Sequence, residues 1–277
     1  MSIKFKFNNF LRVLVPFGLT QVLGIYAAYK FLPETILAES VGWGDYSVSG
    51  FLILAVILVV FFLVVAKFKR VGSWFFKFFL SFLIFSGTQA ILGIWLNSLA
   101  SIFVAIAIVT VFWLFQNIIT QNSAMILTIA GIGAVLGISL LPMTVIYILV
   151  LFSFYDIISV YKTGHMIKLA QAMIESRAIF GFVIPELGHT VRHKIASVIP
   201  GGGFMILGSG DVIFPLLLSA SLVRISLLSA VTVALFSILG LLLMHLIFTN
   251  QATRRPMAAL PPIALMSIVG YLVASFL

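Results

Sequence analysis

The 277-residue sequence has no cysteine and very little charge. Without cysteine the chain can form no disulfide bond, thiolate metal site or cysteine nucleophile. Charged residues make up 8% of the chain and hydrophobic residues 62%, which leaves too little polar surface to cover a water-soluble globule. The sequence therefore predicts an integral membrane protein that is held together by packing and hydrogen bonds.

Apolar runs of about 20 residues recur along the chain, which is the length an α-helix needs to cross roughly 30 Å of hydrocarbon. The alternating pattern of a membrane β-barrel is absent. We therefore predict an all-α polytopic membrane protein with nine transmembrane helices. The predicted spans are residues 10–31, 47–66, 74–96, 98–116, 123–140, 143–162, 203–221, 226–248 and 258–276. As one helix, residues 74–116 would be about 65 Å long, so a turn is required near Asn97 and Ser98.

The basic residues predict how the chain is oriented. With nine spans, all 16 lysines and arginines except Lys30 and Arg224 fall on the side of the amino terminus. This asymmetry predicts a cytoplasmic amino terminus and an external carboxyl terminus. The net charge of +9 is accordingly interpreted as topology-setting, and no nucleic-acid partner is predicted. The first apolar run lacks a small-residue cleavage pattern and is predicted to be a retained helix rather than a signal peptide.

A single membrane domain is predicted, with one long connection. Residues 1–162 carry helices one to six, residues 163–202 form a cytoplasmic connection, and residues 203–277 carry helices seven to nine. Residues 165–180 place their apolar side chains on one stripe, which predicts an amphipathic helix at the cytoplasmic interface. Residues 185–203 end in three glycines and are predicted to be mobile.

Only two of the seven acidic residues, Asp156 and Asp211, interrupt long apolar runs. An ionisable group in hydrocarbon is costly and usually marks a functional site. Asp156 precedes Lys162 by six residues, about 9 Å of helix, and Asp211 follows Gly203 by eight residues, about 12 Å. Because predicted helices six and seven are antiparallel, we expect the two carboxyl groups to lie at matching depths and to face each other.

Two carboxyl groups in close apposition cannot easily both ionise, so such a pair can share one proton. One group can then take a proton from water as it attacks a carbonyl, while the other donates a hydrogen bond to the carbonyl oxygen. This chemistry is that of aspartic proteases, and it needs no metal or other cofactor. Paired intramembrane acids also occur in proton- or cation-coupled carriers, and a buried aspartate can be purely structural. Spacing alone leaves the protease and the carrier equally open.

The residues around the two acids decide between these alternatives. They form three short motifs, which are Tyr155-Asp156, Gly208-Ser209-Gly210-Asp211 and Ala258-Ala259-Leu260-Pro261. In this order they resemble the YD, GxGD and Pro-Ala-Leu motifs of the presenilin and signal-peptide-peptidase intramembrane aspartyl proteases. The third motif departs from the family pattern, since Ala258 stands where the family has proline.

The resemblance implies a GxGD-type intramembrane aspartic endopeptidase with Asp156 and Asp211 as its catalytic residues. The other residues of the three motifs would bind substrate or support the active site. The implied substrates are transmembrane segments of other proteins in the lipid bilayer, and no cofactor or metal is implied. The predicted orientation matches the presenilin branch, and residues 155–166 resemble a prokaryotic, archaeal homologue, which would reside in the plasma membrane.

Physical roles can be proposed beside the resemblance. Gly208 and Gly210 allow either close helix approach or a locally extended backbone next to Asp211. Pro261 and the following Pro262 lack amide protons, so the backbone before them is expected to expose groups that hold an extended substrate. Tyr155 could orient a carboxyl group through its hydroxyl. A homo-oligomer is compatible with the sequence, and no docking domain for accessory subunits is evident.

Overall fold

The computed structural model describes residues 7–39, 69–185, 195, 203–251 and 256–276, most of which lie in α-helices. The helices are α1 (Phe7–Glu39), α2 (Lys69–Leu92), α3 (Ser98–Leu114), α4 (Ile118–Ser139), α5 (Pro142–Ile157), α6 (His165–Glu175), α7 (Ser209–Ser221), α8 (Leu227–Thr249) and α9 (Leu260–Ala274). A π-helical turn (Ile158–Lys162) continues α5, and a 3-10 turn (Leu222–Arg224) continues α7. Two short strands, β1 (Gly181–Pro185) and β2 (Phe204–Gly208), lie between α6 and α7.

Five of the described helices are long and apolar enough to cross a membrane. These are Phe7–Pro33, Ser73–Leu92, Ile118–Ser139, Pro142–Lys162 and Leu227–Thr249, and the shorter apolar helices are Ser98–Leu114 and Leu260–Ala274. The predicted span 47–66 lies outside the described residues. The number of nine spans and the orientation of the termini stay predictions.

The predicted turn between the third and fourth spans is confirmed. Helix α2 ends at Leu92 and α3 begins at Ser98, after Asn97 in an extended conformation. The Asn97 side chain accepts a hydrogen bond of 2.9 Å from the backbone N–H of Ala100. This is ordinary N-capping, which supplies a partner to an N–H group that a helix start leaves unpaired.

Helix α4 is the central element of the described structure. It packs against α1, α2, α3 and α7 and also contacts β1. Glycines permit these close approaches, because a Cβ atom added at Gly131 would lie 2.0 Å from the carbonyl oxygen of Gly87 on α2. The side chain of Leu216 on α7 fits between Gly24 of α1 and Gly133 of α4, where added Cβ atoms would lie 2.5 and 2.6 Å from it. Small residues thus fix α7 between α1 and α4.

Glycines also set the position of α9 against α8. An added Cβ atom would lie 2.6 Å from the Cα of Ile263 at Gly240, and 2.6 Å from the Cβ of Phe236 at Gly270. The first of these contacts is one turn from the start of α9. The amino-terminal end of α9 is therefore held by backbone-to-backbone packing.

The prediction of an all-α chain is wrong in one segment. Residues Phe204–Gly208 form a strand rather than the start of the predicted helix 203–221, and the helix begins at Ser209. The strand pairs antiparallel with Gly181–Pro185, with Gly181 opposite Gly208 and Pro185 opposite Phe204. Both strands are rich in residues that favour extended backbone, and each supplies the hydrogen-bond partners that the other needs. Asp211 consequently lies in the first turn of its helix, so the helical depth of about 12 Å predicted for it is also wrong.

The connection before the sheet differs in part from its prediction. Residues His165–Glu175 form helix α6, which is shorter than the predicted amphipathic helix, and its position at the cytoplasmic interface stays a prediction. Arg177 takes a positive φ of 56° as the chain turns toward β1. Pro185, the first residue of the segment predicted to be mobile, belongs to a strand instead. Apart from Pro185, Ile195 and Gly203, that segment lies outside the described residues.

The glycine contact between α2 and α4 yields a stability prediction. We expect Gly131→Ala to lower the melting temperature of the detergent-solubilised protein, because the new methyl group forces the helix backbones apart at a cost of about 1–3 kcal/mol. The matched control is Gly18→Ala on α1, where an added Cβ meets no atom within 4 Å. The control should be neutral or stabilising, since alanine favours helix over glycine by about 1 kcal/mol. Equal effects of the two substitutions would contradict the packing argument.

Candidate active site

Asp156 lies near the end of α5, two residues before the π-helical turn, and its side chain is 7% exposed. Its Oδ2 accepts a hydrogen bond of 3.3 Å from the backbone N–H of Leu260, the first residue of α9. The backbone of Ala259 is a second partner of the same carboxyl group. The carboxyl group of α5 therefore binds the amino-terminal end of α9.

The sequence of α9 explains why the single carboxyl group of Asp156 can satisfy the N–H groups at the start of this helix. The first residues of any α-helix have N–H groups without a partner in the helix. In α9 the second and third positions are Pro261 and Pro262, which have no N–H group to satisfy. The donors that remain are the N–H groups of Ala259 and Leu260, and Asp156 accepts from both. A carboxylate at this position is further stabilised by the positive end of the helix dipole.

Asp211 occupies a similar position at the start of α7. It is the third residue of the helix, partly exposed, and its carboxyl group accepts a hydrogen bond from the backbone of Gly208, the residue that caps the helix. This reach from the third helical residue back to the cap is one half of a capping box. Both acids are thus bound to backbone N–H groups at helix starts.

The fold brings these two carboxyl groups together. Helix α5 packs against α7 and α9, and the charges of Asp156 and Asp211 are close enough to interact. The rings of Phe152 on α5 and Phe214 on α7 pack beside them, with centroids 4.7 Å apart. The helices that carry the two acids therefore pack against each other, although the chain reaches this arrangement through a strand. The catalytic pairing of the acids stays a prediction.

The residues of the second motif join the sheet to α7. Gly208 is the last residue of β2, and the N–H of Ser209 extends the ladder by donating to the carbonyl of Phe180 at 3.0 Å. An added Cβ at Gly208 would lie 3.1 Å from Oδ2 of Asp211, whereas at Gly210 it would lie 3.4 Å from the ring of Phe214. Of the two possibilities for these glycines, Gly208 shows the extended backbone and also leaves room for the carboxyl group, whereas Gly210 lies within α7.

The remaining predicted residues lie beside the acids as well. Tyr155 is half-buried, and its ring packs edge-on against Phe152 at 6.4 Å. The third motif runs through the start of α9, where Ala258 and Leu260 are buried and Ala259 and Pro261 are partly exposed. The backbone groups expected to be exposed before the prolines include the N–H of Leu260, which is occupied by Asp156 rather than free.

One residue near the site, Gln21, is absent from the motifs that the sequence offers. Gln21 lies on α1, is 1% exposed, and its Nε2 donates to the carbonyl of Val212 at 3.3 Å. It therefore binds the backbone of α7 directly after Asp211. A neutral amide inside an apolar run was the available signal, since such a group must find a partner within the protein.

Three comparisons relate the chain to known proteins. The family model described as signal-peptide peptidase, presenilin aspartyl protease matches residues 48–277. Two solved structures of a presenilin family intramembrane aspartate protease are similar along nearly their whole length. The structure in space group C222 has a TM-score of 0.63 at 24% identity, covering 95% of each chain. The structure in space group P2 has a TM-score of 0.64 at 25% identity, covering 98% of this chain and 97% of the other. No curated protein sequence matches the chain.

The bond between Asp156 and α9 yields a second stability prediction. Asp156→Asn keeps an oxygen that can accept from Leu260, whereas Asp156→Leu leaves that N–H buried and unpaired. We expect the leucine variant to be less stable than the asparagine variant by about 1–3 kcal/mol, the usual penalty for an unsatisfied buried donor. Thermal unfolding in detergent measures the difference, and a leucine variant as stable as the asparagine variant would contradict the capping role.

Proposed function

Because the chain belongs to the signal-peptide peptidase and presenilin aspartyl protease family, we propose that it is a GxGD-type intramembrane endopeptidase whose catalytic residues are Asp156 and Asp211. It is an integral multi-pass membrane protein, and its proposed substrates are transmembrane segments of other proteins in the same bilayer. The observation that carries the proposal is the approach of two carboxyl groups from adjacent helices, near enough for their charges to interact.

The proposed reaction uses the two acids as one unit that shares a proton. The ionised carboxyl group removes a proton from water, whose oxygen forms a bond to the carbonyl carbon of the substrate. The neutral carboxyl group donates a hydrogen bond to the carbonyl oxygen, where negative charge develops. The tetrahedral intermediate then loses its C–N bond, and the departing amine receives a proton from the pair. Either aspartate can hold the shared proton, since the pair titrates as a unit.

Backbone hydrogen bonds place both acids before substrate arrives. Asp156 is held by Leu260 and Ala259, and Asp211 by Gly208. A pair fixed in this way loses little conformational freedom on reaching the transition state, which favours catalysis. Tyr155, Ser209 and Gly210, which lie next to the acids in sequence, are proposed to support the site.

A substrate helix hides its peptide bonds, so it must unwind before it can be cut. We propose that the unwound stretch pairs with the edge of β2 that faces away from β1, a mode known as β-augmentation. Gly208 ends this strand and binds Asp211, so a segment that pairs along β2 passes directly beside the acid. The start of α9, from Ala258 to Pro261, is proposed to bound the site on the side of Asp156.

Several finer features belong to the same proposal. The amino terminus is proposed to be cytoplasmic, with the two acids reached by water from that side, and the membrane to be the plasma membrane of a prokaryote. Activity without accessory subunits and a homo-oligomeric form are both compatible with the sequence. The residue Ala258, which replaces the family's proline, is buried like a packing residue.

The first activity prediction separates the protease from the carrier. We expect the purified protein to cut a single-span reporter in liposomes, and Asp156→Asn and Asp211→Asn each to reduce cleavage at least about a thousandfold, because neither isosteric amide can share the proton. Melting temperatures of both variants control for folding. An intact reporter together with ion flux that depends on both aspartates would indicate a proton- or cation-coupled carrier instead of a protease.

The second activity prediction concerns the space beside Asp211. We expect Gly208→Ala to reduce the kcat for reporter cleavage about tenfold or more, because the new methyl group would lie 3.1 Å from the carboxyl oxygen and displace it. The backbone itself tolerates alanine there, since its φ is −62°. Gly210→Ala is the matched variant, as its methyl group would meet only the ring of Phe214 at 3.4 Å, and its effect should be smaller. The reverse order of effects would contradict this account of Gly208.

A further inference from the structure

Side chains from two helices close the outer edge of β1. Asn122 on α4 binds the backbone of Val183 twice, accepting from its N–H and donating to its carbonyl, both at 2.9 Å. Gln121 donates to the carbonyl oxygens of Ile179 and Gly181 at 2.7 and 3.1 Å. Arg12 on α1 donates to the carbonyl of Pro185 at 2.7 Å. We call Arg12, Gln121 and Asn122 the clamp residues.

Backbone N–H and C=O groups alternate in direction along β1, and this alternation shows which of them face away from β2. In an antiparallel ladder, alternate residues point their N–H and C=O groups toward the partner strand, and the residues between them point away. The clamp residues bind Gly181, Val183 and Pro185, which alternate along β1. Each carbonyl that β1 directs away from β2 therefore has a side-chain partner.

The same alternation fixes the direction of the groups on β2. The bond from Ser209 to Phe180 identifies one hydrogen-bonded pair, so Leu207 and Met205 bind β1, and Ile206 and Gly208 point away from it. The hydrogen bond from Gly208 to Asp211 agrees with this direction. Val183 is completely buried, whereas Ile206 and Gly208 are partly exposed. Within the described residues, the clamp residues thus fill one edge of the hairpin, and the other edge is partly exposed and meets Asp211 at Gly208.

Asn122 reproduces the bonds that a third strand would make. Its amide offers one donor and one acceptor to the same residue, as an opposing strand residue does. It can do so because Asn117 and Thr120 form a capping box that fixes the start of α4 just before it. Its partner Val183 belongs to an apolar cluster in which an unpaired backbone group would be costly. The other buried members of this cluster are Ile118, Ile179, Ile195 and Phe204.

We propose that Asn122 and Gln121, together with Arg12, are positioning residues that fix the hairpin so that β2 alone presents substrate to Asp156 and Asp211. This inference rests on the proposed protease function. The two acids are carried by different helices, and β2 is continuous only with the helix of Asp211. If the clamp is loosened, a substrate paired to β2 moves relative to Asp156. Substrate binding weakens, and more than one peptide bond reaches the acid pair.

The experiment compares three variants of the full chain in liposomes with a single-span reporter. Asn122→Leu removes both bonds to Val183, and Asn122→Gln retains the amide group. Thr128→Val is the control on the same helix, since the Thr128 hydroxyl bonds only within α4, to Ala124 at 2.7 Å. Three quantities are measured, which are the KM and kcat of cleavage, the masses of the products, and amide hydrogen exchange across residues 181–185 without substrate.

We expect Asn122→Leu to raise KM about tenfold with a smaller change in kcat, as loss of a hydrogen-bonded anchor implies. We also expect it to add products cut at neighbouring bonds and to speed exchange in β1. Asn122→Gln should recover part of each effect, and Thr128→Val should resemble the parent chain. If Asn122→Leu does not fold, the same measurements are made on Gln121→Met, which removes the bonds to Ile179 and Gly181.

The outcomes distinguish this inference from the proposed function. An active Asn122→Leu or Gln121→Met variant with the parental KM, product masses and exchange rates would overturn the inference alone. Equal losses in all variants, including Thr128→Val, would also overturn it, because the amides would then contribute only to general stability. A parent chain that does not cut the reporter would overturn the protease function, and with it the inference.

Discussion

A polypeptide in hydrocarbon must satisfy its backbone polar groups from within, since no water is available to bind them. The starts of α7 and α9 create this demand next to each other, and the carboxyl groups of Asp211 and Asp156 meet it. The two acids are therefore structural caps as well as candidate catalysts. Their positions follow from the backbone, because each carboxyl group is held by backbone N–H groups at a helix start. The hydrogen bonds that satisfy the helix starts therefore also position the acids.

The carboxyl groups of Asp156 and Asp211 can approach each other only if the helices that carry them pack closely. Lipid provides no hydrophobic drive for helix association, so close packing of small residues must supply the attraction. Leu216 is seated between Gly24 and Gly133, which locks α7, and Gly240 lets α8 pack against the start of α9. Helix α5 then lies against both α7 and α9. Glycines far from the acids in sequence thereby determine how closely the helices that carry the two carboxyl groups approach each other.

The sequence predicted the parts of the structure that have a local signal. Asp156 and Asp211 could be found because charge is rare inside apolar runs, and the turn at Asn97 because one helix of that length would exceed the bilayer. The strand at Phe204–Gly208 could not, since a short apolar run has no periodicity that separates strand from helix, and its partner is distant in the chain. Gln21 and Asn122 were missed because neutral amides give little compositional signal, although burial makes each of them structurally demanding.

The hairpin lies among membrane helices, so the backbone groups on the outer edges of β1 and β2 need hydrogen-bond partners. The edge of β1 is filled by amide side chains of α4 and by Arg12, which removes it from further pairing. The edge of β2 instead directs the backbone groups of Ile206 and Gly208 away from β1, to a side that is partly exposed and where Gly208 binds Asp211. Backbone groups directed there are satisfied by water or by another extended segment. Hydrolysis of a peptide bond requires both at one place, so the edge that the fold leaves to outside partners coincides with the place where the proposed reaction needs them.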